Sequence, residues 1–112
     1  MNWKRSTWYL WENIVKDFYL SNWYLFVSSN YTIKWWEIDL IFIKNDKYFF
    51  IEVKVVDWVD DLFNYITKNK LVCLNKAVSS FLLDFNINNN FQVDFVFVKN
   101  NTVYQVYENI EF

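Results

Sequence analysis

Four charged residues stand inside two strongly apolar stretches of the chain. Glu37 and Asp39 lie in "WEIDLIFI", and Glu52 and Lys54 lie in "YFFIEVKV". Burying such side chains is expensive unless something pairs with them or binds to them. Alternate residues of a strand share a face, so Glu37 and Asp39 form one set and Glu52 and Lys54 another. A two-residue hairpin loop at Asn45 and Asp46 makes antiparallel partners sum to 91, which sets Asp39 opposite Glu52 and Glu37 opposite Lys54. A slip of one residue would send the two sets to opposite faces.

Directly opposed residues hold their Cβ atoms about 4.5–5.5 Å apart. Two carboxylates at that separation repel by roughly 3 kcal/mol at an effective dielectric near 20. A divalent cation removes that penalty, and oxygen ligands without His or Cys favour Mg²⁺ or Mn²⁺ over zinc. Lys54 places a positive charge beside such an ion, where it could orient an attacking water or stabilise a phosphate transition state. Taken alone, Glu-x-Lys is common on solvent-facing strands, and a Glu37–Lys54 pair would be a weak cross-strand ion pair. The whole constellation reads differently, because its expected same-face neighbours Ile41, Ile43, Tyr48 and Phe50 are apolar.

Composition removes most other chemistry. The chain has no Gly, which excludes the usual glycine-rich phosphate cradles, and no His, which excludes Ser-His-Asp catalysis and His-based metal sites. Cys73 stands alone, so neither an intramolecular disulfide nor a Cys-cluster zinc site can form. Carboxylate, lysine, hydroxyl and aromatic groups remain. Gly and Pro are both absent, Ala77 is the only alanine and Arg5 the only arginine, while Asn, Lys, Ile, Phe and Tyr abound. That is the signature of an AT-biased coding sequence and points to a reduced bacterial genome. The net charge of −2 supplies none of the basic excess of strong nonspecific DNA binders. Nucleic acid would have to be met by a local patch, for which Lys4, Arg5, Lys68, Lys70 and Lys76 are candidates. Each, taken singly, is equally well explained as a solvated surface residue.

The elements that must position these groups can be read from periodicity. Trp8, Trp11, Val15 and Phe18 recur at helical spacing behind Ser6 or Thr7 as a cap, which predicts a helix over 7–20 with Glu12 at the edge of its apolar stripe. "WYLFVSS" from Trp23 predicts a short buried strand, followed by the two charged strands. After the acidic and aromatic connection "DWVDDLFNYITKNK", residues Leu71, Leu74, Val78, Phe81 and Phe85 mark one face of a second helix. "FQVDFVFV" and "TVYQVYENIEF" predict a hairpin about Asn100 and Asn101. Without Gly or Pro, the turns must rest on Asn, Asp and Ser. The predicted class is α/β, a mixed sheet flanked by helices in the order α-β-β-β-α-β-β. At 112 residues a single domain over 1–112 is expected. No apolar run approaches the roughly 20 residues that span a bilayer, and the N-terminus lacks a signal-peptide pattern. A cytoplasmic protein without membrane contact is therefore expected.

"EIDLI", "FIEVK" and the helix-borne Glu12 resemble the YraN family of uncharacterised proteins, which carry a restriction-endonuclease-like fold and the PD-(D/E)xK nuclease signature. The counterparts "WENIVKDFYL", "WEIDLI", "FIEVK", "KLVCLNKAV", "VDFVFV" and "ENIEF" follow the family's order along nearly the whole chain. Trp36 and Trp11 depart from it, standing where the family usually has Gly before Glu37 and Glu12. The resemblance implies that Asp39 and Glu52 are metal carboxylates and Lys54 the catalytic lysine. It also implies that Glu12 supports the metal or its water, and that Glu37 is an accessory acid.

The leading expectation is thus a Mg²⁺- or Mn²⁺-dependent endonuclease-like protein hydrolysing phosphodiesters of nucleic acid, with branched or single-stranded DNA as substrate. The rival is a nucleic-acid-binding or protein-interaction module that keeps the fold without turnover. A third expectation is a homodimer using surplus aromatics such as Trp58 and Phe63 as its interface.

Overall fold

The computed structural model describes the backbone of residues 3–57 and 62–111, and the side chains of 9–57 and 64–111. The expectations resting on the side chains of Lys4, Arg5, Ser6, Thr7, Trp8, Trp58 and Phe63 lie outside the described residues. The elements are α1 (Trp3–Ser21), β1 (Leu25–Ile33), β2 (Trp36–Lys44), β3 (Lys47–Val55), a 3-10 turn (Leu62–Tyr65), α2 (Lys68–Asp84), β4 (Phe91–Lys99) and β5 (Thr102–Tyr107). They realise the expected α-β-β-β-α-β-β order. The five strands form one mixed sheet in the order β1-β2-β3-β4-β5. All neighbours are antiparallel except β3 and β4, whose parallel pairing needs the crossover that carries α2.

Asparagine does the work of the missing glycine. Among the described residues the positive-φ positions are Trp23, Asn30, Asn45, Asp46, Asn86, Asn100, Asn101 and Asn109. Asn and Asp tolerate this region because their short side chains bond locally. Positive φ at both Asn45 and Asp46 makes the β2–β3 loop the two-residue type whose twist suits a hairpin, and Asn100–Asn101 repeats it between β4 and β5. The β2–β3 pairs run from Lys44↔Lys47 to Leu40↔Ile51, each summing to 91 as expected. Asn86 ends α2: the Ile87 N–H reaches the Leu82 carbonyl and the Asn86 N–H reaches that of Leu83. The same pair of bonds closes α1, from Tyr24 to Tyr19 and from Trp23 to Leu20, with Trp23 at φ 70° where Gly is usual.

The helices cover opposite faces of the sheet. Val15 and Tyr19 of α1 pack with Leu40, Phe42, Ile51, Val53, Val96 and Val98. Leu74, Ala77, Val78 and Phe81 of α2 pack with Ile38, Ile41, Phe50, Val93 and Phe97. At the N-terminus of α2 the Thr67 hydroxyl accepts the Lys70 N–H, so the helix begins three residues before its apolar stripe. Two expectations change. The chain from Trp23 is not a short buried strand: Trp23 caps α1, and β1 is a nine-residue edge strand whose Leu25, Phe26 and Val27 face solvent. The last strand stops at Tyr107, where the chain turns away at Asn109. Buried Asp94 holds that tail by accepting the Asn109 N–H at 2.9 Å, and it also accepts the Tyr19 hydroxyl at 3.0 Å.

Candidate metal centre

The centre forms where β2 and β3 part. Toward the turn they are paired, but the ladder ends at Leu40↔Ile51. Beyond that point β2 follows β1, through Tyr31↔Ile38 and Thr32↔Glu37, while β3 follows β4, through Glu52↔Phe95 and Lys54↔Phe97. Asp39 lies at the mouth of this wedge. Its carboxylate Oδ2 accepts the Val53 N–H at 2.7 Å, a side chain taking the place of a ladder carbonyl.

A break in the pleat aims it there. Ile38 and Ile41 both pack toward α2, whereas Leu40 and Phe42 pack toward α1, so strict alternation fails between positions 38 and 41. The β1–β2 pairing skips Asn30 and Asp39 at the same level, and Asn30 is in the left-handed region at φ 55°. The register shift of β1 against β2 lies nearby, between Phe26 and Ser28, and such irregularities recur beside functional sites. Glu37 and Asp39 come together as expected, but the expectation that Ile41 shares their side is corrected, since Ile41 packs toward α2. Strand alternation holds within β3, where Glu52 and Lys54 share the α2-facing side with Phe50.

Glu12, Glu37 and Asp39 each bring a carboxylate oxygen within 4.8 Å of the others, an arrangement compatible with a metal site. Glu12 lies on the buried stripe of α1, three and seven residues before Val15 and Tyr19, and is 3% exposed. The Asn30 amide gathers two of the acids. Its Nδ2 donates to Glu12 Oε1 at 3.1 Å and Oε2 at 3.2 Å, and to Glu37 Oε1 at 2.6 Å. Asn30 is the residue sequence reasoning missed; a lone Asn amid a β-rich segment was its only signal. Glu52 approaches Asp39 from β3 and lines the same cleft, though it is not one of the tight trio.

Burial raises Asp39 from the ordinary 3.8 to about 8, with Glu12 and Glu37 adding repulsion and the Val53 N–H opposing it. Burial likewise holds Glu52 well above the usual carboxylate range, with Asp39 the main charge acting on it. The Trp36 indole offsets part of this, yet Glu52 Oε1 and Trp36 Nε1 are both buried without a hydrogen bond. A buried carboxylate oxygen left unpaired on Glu52, three acids clustered beside it and no His in the chain are the donor chemistry of a hard divalent cation.

Beside Asp39 and Glu52 is a cleft of about 170 Å³ lined also by Trp36, Lys54, Tyr65, Lys70 and Phe97. The Lys54 ammonium lies 5.5 Å from the Tyr65 ring centre, and the ladder does not extend to the expected Glu37–Lys54 pair. Lys70 donates to the Tyr65 carbonyl at 2.9 Å and reaches the cleft, while Lys68 and Lys76 are exposed on α2 outside it. Of the two Trp residues at positions where Gly is usual, Trp11 packs into the α1-side core and Trp36 stands in the cleft.

A mixed sheet between two helices, with acids converging where its central strands diverge, defines a restriction-endonuclease-like α/β domain. Residues 11–98 match the uncharacterised protein family UPF0102. The chain is 27% identical over 101 residues to a UPF0102 protein of Campylobacter fetus subsp. fetus, covering 90% of this chain and 89% of that one. It is 31% identical over 90 residues to one of Aliarcobacter butzleri, covering 80% and 81%. With one of Helicobacter pylori it shares 35% identity over 86 residues, covering 77% and 74%. The chain belongs to the UPF0102 family, the YraN family of the resemblance above. Among the described residues no helix is long and apolar enough to cross a membrane.

Proposed function

We propose that this protein is a divalent-cation-dependent nuclease acting on nucleic-acid phosphodiesters in the bacterial cytoplasm. In this reading Asp39 and Glu52 hold Mg²⁺ or Mn²⁺, with Glu12 and Glu37 completing the acidic surround. The observation that carries it is the meeting of Asp39 with an unpaired, buried Glu52 oxygen and Lys54 in one cleft, with Glu12 and Glu37 gathered against Asp39. A bound cation would neutralise the acids and a scissile phosphate and lower the pKa of a water. The chain's own groups do the rest. Val53 N–H fixes Asp39, Asn30 fixes Glu12 and Glu37, and Lys54 offers an ammonium to the negative charge that grows on phosphate in the transition state. The test is DNA cleavage in Mg²⁺ by the wild type, Glu52→Gln and Lys54→Ala. Loss of cleavage in both variants is expected; cleavage that survives both overturns the assignment.

A second reading, a module that binds nucleic acid or a protein without turnover, is favoured by one feature. The Trp36 indole lines the cleft beside Glu52 and sinks its N–H there without a partner. Tight binding with no cleavage under any divalent cation would select this reading.

A further inference from the structure

Beside the acids, a shallower groove of about 360 Å³ is lined by Trp35, Trp36, Glu37, Asp39 and Glu52. Trp35 forms its rim. It sits in the β1–β2 turn, just before Trp36, which pairs with Ile33. The indole is 65% exposed, so it contributes little to either core. The Lys34 ammonium lies 4.6 Å from its ring centre. With Lys34 over one face of the ring, the indole still offers an exposed aromatic surface at the rim of a groove it shares with Trp36, Glu37, Asp39 and Glu52.

Electrostatics narrows the choice. The groove floor is acidic and the chain carries net charge −2, so phosphate attraction alone cannot hold a nucleic acid there. An uncharged base face laid on the indole escapes that repulsion, and Lys34 is placed for the backbone that carries the base. Stacking requires a base free of its duplex neighbours, because both faces of a paired base are already occupied within the helix.

We propose that Trp35, with Lys34, is a stacking platform for an unpaired base, so that the protein takes single-stranded nucleic acid or single-stranded segments of branched DNA. The inference rests on the nuclease reading of the neighbouring acids, whose substrate class it names.

The experiment measures binding of a fluorescein-labelled single-stranded DNA by anisotropy in EDTA, where cation-dependent turnover is silent. The full-length wild type, Trp35→Ala and Trp35→Phe are compared, with a duplex of the same sequence alongside. Trp35→Ala is expected to weaken single-strand binding at least about fivefold, the lower end of measured base–aromatic stacking. Trp35→Phe, which keeps a ring, is expected to stay close to wild type, and duplex binding to be indifferent to both changes. Equal single-strand affinity in the wild type and Trp35→Ala overturns the proposal, as does an equal loss on the duplex. A self-association that disappears in Trp35→Ala while DNA binding does not change would also overturn it, making the patch an interface between copies. Failure of the cleavage test with Trp35-dependent binding intact removes the nuclease reading alone; cleavage dependent on Glu52 and Lys54 without any Trp35 effect removes the platform alone.

Discussion

Raising the pH from 5 to 8 in the absence of divalent cations will weaken the fold, and Asp39→Asn will remove a substantial part of that weakening, the rest coming from Glu52. Asp39 is 5% exposed and its folded carboxyl is raised from 3.8 to about 8. Between those values the folded state keeps a proton that the unfolded chain has released, so stability present at low pH is lost as pH climbs. At 1.36 kcal/mol per pH unit the full span is worth roughly 6 kcal/mol, of which about 4 kcal/mol falls between pH 5 and 8. Glu52, also raised, acts in the same direction. Asn fits the site, because its carbonyl can still accept the Val53 N–H and its amide can face Glu12 and Glu37. Urea unfolding at pH 5, 6.5 and 8 in EDTA measures the effect. Excess Mg²⁺ at pH 8 is expected to restore stability by about 2.7 kcal/mol at a hundred times its dissociation constant. A wild-type stability that is flat or rises from pH 5 to 8 would refute the account of a strained acidic cluster.

Two further changes test how the site and its frame are held. Asn30→Gly keeps the left-handed backbone and loses the amide, whereas Asn30→Ala loses both, so the Ala variant will be less stable by roughly 1 kcal/mol in urea unfolding. Both are expected to weaken Mn²⁺ binding to a similar degree, since both free Glu12 and Glu37. Trp23→Gly at the end of α1 relieves an indole-bearing residue at φ 70° whose side chain is 84% exposed, and will raise stability by about 0.5–1 kcal/mol in the same assay.

Local chemistry made much of the frame legible. Asn45–Asp46 announced a two-residue hairpin, and counting across it fixed the register that the ladder keeps as far as Leu40↔Ile51. Helical spacing exposed the faces of α1 and α2, and the placement of Glu12, Asp39, Glu52 and Lys54 near one wedge followed the order of their motifs. What counting could not reach was the failure of the pleat at Asp39. Strand reasoning assumes a period of two, and the unpaired Asn30–Asp39 level leaves only an ordinary Asn as its mark. The tight trio of Glu12, Glu37 and Asp39 follows from that break, which brings Glu37 and Asp39 to Glu12 of α1 while Glu52 meets Asp39 from β3. Exposure of Leu25, Phe26 and Val27 was equally hidden, since an edge strand and a central one share a composition and differ only in having a neighbour.

The central claim is that these acids are built for a divalent cation. Calorimetric titration of Mn²⁺ into the full-length protein at pH 7 tests it most directly, because raised carboxyls must give up protons as the ion enters. The account predicts one saturable site, proton release seen as a dependence of heat on buffer, and loss of both in Asp39→Asn and Glu52→Gln. Heat that does not saturate, or a site indifferent to both substitutions, would contradict it.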